Sequence, residues 1–354
     1  MHGRRRSCEG YQDRDFVELS KVDTASVKGV AILLMLWHHL FLNAPEFGTF
    51  TDSLAVVSKV CVALFLFVSG YGLTKQYGSL KRRNVESTAK FLGRRFVNFF
   101  SQYWFCFILV ILVGNLCGYT FHEAYPATRN VFKCIILDAF GQMGYDSYLK
   151  SWWFNKMILQ PWVVFPLLYL IVSNKYSALV GLIAIAFMQL YVRHLPGNVF
   201  FLVEGGVPAF YLGMCSASHR IASGKNQRVW TLSVSFLMIP GLSVLLLKVV
   251  KDPYQAILVR ALLALCIVYA LKAFRQYGSF LADYIGKYAT IMYLTHVLLL
   301  VLIPGINSFL KYSFPVFLVF TVACLAIAIV IDHLEKVSRL DEMRKALTAR
   351  IDRL

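Results

Sequence analysis

The residues of this chain best suited to chemistry are ionisable groups inside its apolar segments. The first apolar segment begins at Lys28 and contains two adjacent histidines, His38 and His39. Eleven residues take the chain from Lys28 to His39, which at about 100° per helical residue returns to within roughly 20° of the same direction. One helix face therefore carries both groups. Ionisable residues at bilayer depth are costly and usually functional, so this face is the first candidate site.

A second apolar segment supplies another histidine. His296 lies nine residues after Lys287, and His39 lies about 16 Å along its helix from Lys28, so the two histidines are expected to reach a similar depth. Histidine takes and returns a proton near neutral pH, as acyl transfer to a hydroxyl requires. His38 points about 100° away from His39, so we expect only His39 to face the shared cavity.

The composition places these groups in a membrane protein. Of the 354 residues, 58% are hydrophobic and 15% are aromatic, more than a soluble core of this size can bury. We predict an all-α integral membrane protein, because long helices satisfy their own backbone in lipid and a β-barrel would show short alternating segments. About ten segments are long enough to span the membrane: 27–46, 54–75, 95–115, 155–173, 176–192, 199–216, 229–248, 254–273, 284–303 and 312–332.

The distribution of charge predicts the orientation. The net charge of +17 does not indicate a nucleic-acid partner, because most of the 36 lysines and arginines fall in segments on the same side as the N-terminus. This bias predicts that both termini are cytoplasmic. We expect a cytoplasmic N-terminal segment at 1–26, a transmembrane domain at 27–332 and a cytoplasmic amphipathic tail at 333–354, with membrane lipids as partners.

Further candidate residues lie at the two membrane surfaces. Arg94 and Arg95, where a basic loop re-enters the membrane, are candidates for binding an anion, and Ser69 and Gly70 suggest a narrow passage beside them. On the outer side we single out Glu204, Arg260 and Trp153 as candidates for substrate binding. Glu204 and Arg260 either pair with each other or bind a polar acceptor. The cysteines lack metal-ligand spacing, and we expect no metal.

Four motifs, taken in order, resemble the acyltransferase-3 family of membrane proteins. They are a basic residue, ten residues and a histidine in the first helix, a Ser-Gly-Tyr in the second, a basic pair opening the third, and a histidine-containing run near the end. In this sequence they are Lys28 to His39, Ser69 to Tyr71, Arg94 with Arg95, and Gly286 to His296. The resemblance implies transfer of an acyl group, usually acetyl, from cytoplasmic acyl-CoA to a carbohydrate hydroxyl at or beyond the outer face of a bacterial plasma membrane.

The resemblance also implies roles for particular residues. His39 would be the catalytic histidine and Lys28 its basic partner, with His296 orienting or relaying. Ser69, Gly70 and Tyr71 would belong to the acyl passage, and Arg94 and Arg95 to the binding site for acetyl-CoA or another acyl-CoA. Whether His39 acts as a general base or carries the acyl group itself stays open. Whether the protein acts with a second copy of itself or with a cell-envelope partner also stays open.

A function of another class fits part of the same pattern. Buried histidines among about ten helices also suit a proton-coupled transporter or flippase of a glycan or lipid-linked sugar. The two functions differ in what they need at the cytoplasmic surface. Arg94 and Arg95 beside Ser69 favour an enzyme that binds CoA, since a proton-coupled carrier does not require such a cluster.

Overall fold

The computed structural model describes residues 18–125, 129–191, 206–219, 227–275, 280–305 and 311–353. Within these ranges the chain forms helices and turns without a strand, so the prediction of an all-α protein is confirmed. The helices are α1 (Lys21–Phe41), α2 (Thr49–Ser58), α3 (Val60–Gly78), α4 (Val85–Leu116), α5 (Phe121–Ala124), α6 (Val131–Ala139), α7 (Trp153–Val172), α8 (Lys175–Tyr191), α9 (Val207–Ser218), α10 (Gln227–Val244), α11 (Pro253–Phe274), α12 (Phe280–Leu302), α13 (Ser313–Val337) and α14 (Leu340–Arg353).

The chain is a multi-pass membrane protein. Among the described residues, 8 helical segments are long and apolar enough to cross a membrane, with α2 and α3 together forming one of them. The predicted spans 176–192 and 199–216 correspond to the shorter helices α8 and α9, of 17 and 12 residues. Large apolar side chains such as Phe236 and Leu237 point outward, 79% and 72% exposed, where lipid would cover them. The count of ten spans and the cytoplasmic placement of both termini stay predictions.

Helix α1 begins earlier than the predicted start of the first span at residue 27. The Ser20 hydroxyl accepts a hydrogen bond from the Asp23 amide at 3.1 Å, and the Asp23 carboxylate accepts one from the Ser20 amide at 2.7 Å. This capping box starts the helix at Lys21. Since α1 then ends at Phe41, His39 lies in its last turn.

Two pairs of glycines set the helix crossings that position the site. A Cβ at Gly29 would overlap the carbonyl oxygen of Ala282, and one at Gly286 would overlap that of Ala25, so α1 and α12 cross with their backbones in contact. Gly70 of α3 and Gly213 of α9 form the second pair, because a Cβ on either would overlap a carbonyl oxygen of the other helix. Small residues allow helices in a membrane to approach this closely. The first crossing brings the helix of Lys28 and His39 against the helix of His296.

The C-terminal helix α14 folds back against α4. Asp352 of α14 forms an ion pair with Arg94 at 2.6 Å, and a Cβ placed on Gly93 would be 3.5 Å from Ile351. Met343 and Leu347 remain exposed on the outer side of α14. The predicted amphipathic tail therefore contains a helix that packs on α4. The domain boundaries at 26 and 332 stay predictions.

The segment between α4 and α7 folds around one buried carboxyl. Asp138 is fully buried, and its Oδ2 accepts hydrogen bonds from the Tyr148 amide at 2.6 Å and the Tyr125 hydroxyl at 3.0 Å. The Tyr103 hydroxyl of α4 donates to the Asp138 carbonyl oxygen at 2.6 Å. Burial outweighs these hydrogen bonds and raises the pKa of Asp138 to about 6.

This buried carboxyl predicts a pH dependence of stability. Because the folded protein holds the Asp138 proton more tightly than the unfolded chain, the stabilisation is complete below the unfolded pKa and is lost as pH rises through about 6. We expect the Asp138→Asn variant to match the wild type near pH 4 and to be more stable near pH 8, by up to about 3 kcal/mol. Thermal unfolding of both proteins across this range measures the difference. Parallel pH profiles would contradict the assignment.

Candidate active site

Three cavities follow one another through the described part of the protein. The Lys28 cavity, of about 390 Å³, is lined by Lys28, Ser69 and Arg95 among others. The His39 cavity, of about 120 Å³, contains both His38 and His39. The third, which we call the Trp153 cavity, has a volume of about 130 Å³.

Shared side chains show that the cavities are neighbours. The Lys28 and His39 cavities have Phe65, Phe154 and Tyr293 in common. The ring of Phe154 lies 6.1 Å from that of Phe65 and 5.5 Å from that of Tyr293, between centroids, so aromatic rings form the partition. The His39 and Trp153 cavities share Lys59, Val62, Tyr145 and Trp153. The His39 cavity is therefore the middle of the three.

The helix α1 presents one face to two of these cavities. Thr24 and Lys28 line the Lys28 cavity, and Met35 and His39 line the His39 cavity. Their spacings of four and eleven residues each return close to the same helix face. The structure thus places Lys28 and His39 on the same face of α1 but on opposite sides of the aromatic partition.

Three histidines are grouped at the middle cavity. The ring of His39 lies 5.0 Å from that of His296 and 5.3 Å from that of His38, between centroids. His296 Nδ1 lies 2.9 Å from the Tyr293 carbonyl oxygen, and His38 Nδ1 lies 2.7 Å from the Ala55 carbonyl oxygen. Since a carbonyl only accepts, Nδ1 carries a proton in both rings, and in the neutral form of each ring Nε2 keeps its lone pair.

The His39 side chain is more exposed than those of its two neighbours, His38 and His296. Its side chain is accessible from the cavity, whereas His296 is fully buried and its Nε2 has no hydrogen-bond partner in the described part of the chain. A reacting group in the cavity can therefore reach His39 directly. His296 lies next to it, 5.0 Å away between ring centroids, and its Nε2 is unpaired in the described part of the chain.

The expectation that His38 faces away from the site is wrong. His38 lines the same cavity as His39, although the two side chains point in directions about 100° apart. Both histidines lie in the last turn of α1, and a separation of about 100° still allows one cavity to contact both side chains. A hydrogen bond to the Ala55 carbonyl oxygen of α2 holds the His38 ring beside this cavity.

Two of the cations that line the Lys28 cavity, Lys28 and Arg95, lie close to each other. The Arg95 guanidinium lies over the Trp162 ring, 4.9 Å from its centroid, and Lys28 is close enough to Arg95 to experience its repulsion. No acidic side chain pairs with either in the described ranges. Two like charges in one cavity, without acidic partners, favour the binding of an anion.

The other predicted donor-site residues take different positions. Ser69 lines the Lys28 cavity and its hydroxyl accepts a hydrogen bond from Trp162 Nε1 at 2.9 Å. Gly70 lies against α9 instead. The Tyr71 hydroxyl accepts a hydrogen bond from the Leu19 amide at 2.7 Å, and Arg94 pairs with Asp352. The structure therefore brings Ser69 and Arg95 to the cavity and directs Gly70, Tyr71 and Arg94 elsewhere.

Two of the three predicted substrate-binding residues meet in the Trp153 cavity. Trp153 and Arg260 both line it, and the Trp153 ring stacks on Tyr145 at 5.1 Å between centroids. Glu204 lies outside the described residues. Within the described ranges no group of three histidine, cysteine or acidic residues is placed to hold a metal ion.

Sequence reasoning missed several residues of the site. Asn155 of α7 is fully buried, lines the Lys28 cavity and accepts a hydrogen bond from the Tyr293 hydroxyl at 3.1 Å. Arg344 of α14 also reaches this cavity. Tyr293 lies three residues before His296, so helical spacing alone could have singled it out. No local signal marks Asn155 or Arg344, because their approach depends on the packing of distant helices.

The fold and the site are those of a helical membrane protein with a histidine in the middle one of three neighbouring cavities. A known family described as an acyltransferase domain, the acyltransferase-3 family, matches residues 26–333. The chain belongs to this family and is a membrane acyltransferase. Family membership therefore favours the acyltransferase over the transporter. No curated protein and no solved structure gives a significant match.

Proposed function

We propose that this protein transfers an acetyl group from cytoplasmic acetyl-CoA to a hydroxyl of a cell-surface or exported carbohydrate. The observation that carries the proposal is the series of three cavities with His39 in the middle. The Lys28 cavity takes the donor and the Trp153 cavity takes the acceptor. The histidine between them is positioned to receive the proton that the acceptor loses.

The charge of the Lys28 cavity supports a CoA donor. CoA carries phosphates, and Lys28 and Arg95 are the unpaired cations described above. Arg95 offers a planar fork for a phosphate while Lys28 acts as a point charge. A volume of about 390 Å³ lies within the ordinary range of small-molecule sites.

The size of the His39 cavity supports acetyl over longer acyl groups. Its volume is about 120 Å³, and it must hold both the reacting carbonyl and the attacking hydroxyl. The aromatic partition of Phe65, Phe154 and Tyr293 also limits the width of the path by which the thioester reaches His39. A short acyl chain satisfies both restrictions.

The chemistry proposed for His39 is general base catalysis. Its ring nitrogen takes the proton of the acceptor hydroxyl, the oxygen attacks the thioester carbonyl, and the CoA thiolate leaves and takes up a proton. In the alternative, the His39 nitrogen first accepts the acyl group and then passes it to the hydroxyl. His296 and Lys28 serve His39 in both routes, His296 by orienting its ring and Lys28 by holding the donor.

The Trp153 cavity supports a carbohydrate acceptor. An aromatic ring face such as that of Trp153 is an apolar platform for the C–H face of a sugar, and Arg260 adds a donor for its oxygens. A role for Glu204 in the same cavity stays a prediction. The location in a bacterial plasma membrane also stays a prediction. The same is true of the assignment of Gly70, Tyr71 and Arg94 to the donor site, and of a homo-oligomer or a cell-envelope partner.

Donor binding gives the direct test. We expect Lys28→Gln and Arg95→Gln each to weaken acetyl-CoA binding by about tenfold or more, because each removes a charge-assisted contact with phosphate. Isothermal titration of the purified protein in detergent measures it. Lys28→Gln should at the same time raise the unfolding temperature without ligand, since it relieves repulsion of Arg95.

Arg82 provides the matched control for donor binding. It is an exposed arginine in the loop between α3 and α4, so Arg82→Gln should leave acetyl-CoA binding unchanged. Equal loss of affinity in all three variants would show that only overall positive charge attracts the donor. Unchanged affinity in Lys28→Gln and Arg95→Gln would contradict this donor site.

A further inference from the structure

The C-terminal helix α14 contributes a residue to the donor cavity. Arg344 lines the Lys28 cavity together with Lys28 and Arg95. It lies beyond residue 333, where the match to the acyltransferase domain ends. A segment expected to lie on the membrane surface thus completes the wall of an internal cavity.

Contacts along α4 hold α14 in this position. The Arg94 guanidinium pairs with the Asp352 carboxylate at 2.6 Å, and Lys90 Nζ lies 3.4 Å from the Asp352 carbonyl oxygen. Ile351 packs near Gly93, where a larger side chain would meet it. These contacts lie seven and eight residues from Arg344 on the same short helix, so they fix its approach to the cavity.

The hydrogen bonding of Arg344 leaves part of its guanidinium available. One terminal nitrogen pairs with Asp341 at 2.6 Å, while its buried Nε has no partner in the described part of the chain. Asp341 and Glu335 are the acidic groups that act on Arg344. The Asp341 side chain is 57% exposed, so a phosphate that enters the cavity competes with a partner that water already solvates.

We propose that Arg344 binds a phosphate of the acyl donor, so that α14 is part of the donor site. This inference rests on the proposed function, in which the donor is a CoA thioester. Three cations, Lys28, Arg95 and Arg344, then converge on one cavity from α1, α4 and α14. A guanidinium fork suits two oxygens of a phosphate, and Arg344 is the member of the three that the tail supplies.

The test uses the full-length protein in detergent and CoA as the probe, with binding followed by calorimetry. We expect Arg344→Gln to weaken CoA binding about tenfold, and Arg344→Lys, which keeps the charge but loses the fork, to lie between it and the wild type. Arg350→Gln is the matched control, since Arg350 is an exposed arginine of the same helix, and should leave binding unchanged. Hydrolysis of S-acetylpantetheine, which lacks phosphates, should be equal in the wild type and Arg344→Gln.

The variant Asp341→Asn distinguishes a phosphate-binding role of Arg344 from a purely structural role. If Arg344 binds phosphate, Asp341→Asn releases the guanidinium from a competing carboxylate and tightens CoA binding. If the pair only stabilises α14, Asp341→Asn weakens binding as Arg344→Gln does, and the proposal is overturned. This comparison also holds if Arg344→Gln fails to fold.

Two further outcomes would overturn the proposal in distinguishable ways. Wild-type CoA affinity in Arg344→Gln removes the role of Arg344 but leaves the proposed function in place. If the wild type does not bind CoA, both the role of Arg344 and the proposed function are overturned. Recovery of binding in the double variant Arg344→Gln with Glu335→Gln would show that Arg344 only neutralises Glu335, whereas we expect this double variant to bind as weakly as Arg344→Gln.

Discussion

Replacing His39 with glutamine is expected to lower acyl transfer by at least about 100-fold while leaving acetyl-CoA binding unchanged. A positioned general base contributes about 10² to 10⁴ in rate, and glutamine keeps much of the size of histidine without its ability to take a proton. Binding should survive because His39 lies beyond the aromatic partition, outside the cavity of Lys28 and Arg95. The measurements are O-acetyl content of the surface carbohydrate in cells that carry each variant, and CoA affinity of the purified protein.

The neighbouring histidine His38 is the control for His39. His38 lines the same cavity, but its side chain is half-buried whereas that of His39 is exposed, so we expect His38→Gln to cost much less than His39→Gln. Near-normal O-acetylation with His39→Gln would rule out both routes through His39. Label retained on the wild-type protein after incubation with labelled acetyl-CoA, without acceptor, would favour the route in which His39 carries the acyl group.

Helical periodicity accounts for what could be predicted about the first helix. The interval from Lys28 to His39 is close to three whole turns, so their common face follows from geometry alone and requires no knowledge of the neighbours. The same holds for the class of protein, because apolar composition and segment length decide between membrane and soluble folds. These features depend only on local sequence, so they can be predicted directly from it.

Runs of adjacent residues show why the donor site was less predictable. Consecutive residues on a helix point about 100° apart, so Ser69, Gly70 and Tyr71 cannot all face one cavity. The side chain of Ser69 faces it, as do those of Phe65 and Val68, which lie on the same face of α3. A motif records which residue types occur together, whereas helical geometry divides them between a cavity and a packing surface.

Long-range contacts account for the residues that local patterns missed. Arg94 looks like a donor-site residue when only its basic loop is considered, yet it pairs with Asp352, 258 positions away. That pair helps to bring α14, and with it Arg344, to the cavity. The alternation of apolar and charged residues predicts an amphipathic helix in the tail, but it does not specify whether lipid or α4 covers its apolar side.

The close crossing of α1 and α12 leads to a second prediction with a large expected effect. We expect Gly286→Ala to lower the free energy of unfolding by about 1 to 3 kcal/mol, although alanine ordinarily favours a helix over glycine. The added methyl would overlap the carbonyl oxygen of Ala25, and a backbone atom cannot turn aside as a flexible side chain can. The two helices must therefore move apart, which takes His296 away from His39, now 5.0 Å apart between ring centroids.

Activity should fall further than stability in Gly286→Ala, because a displacement of about 1 Å in a catalytic arrangement can cost about 100-fold in rate. Thermal unfolding and acyl transfer at a temperature where the variant is folded measure the two effects separately. The matched control is Gly241→Ala, since a Cβ at Gly241 of α10 meets nothing within 4 Å; it should be neutral or stabilising and fully active. If both variants behave alike, the backbones of α1 and α12 are not in contact at Gly286, and the histidine pair does not depend on this crossing.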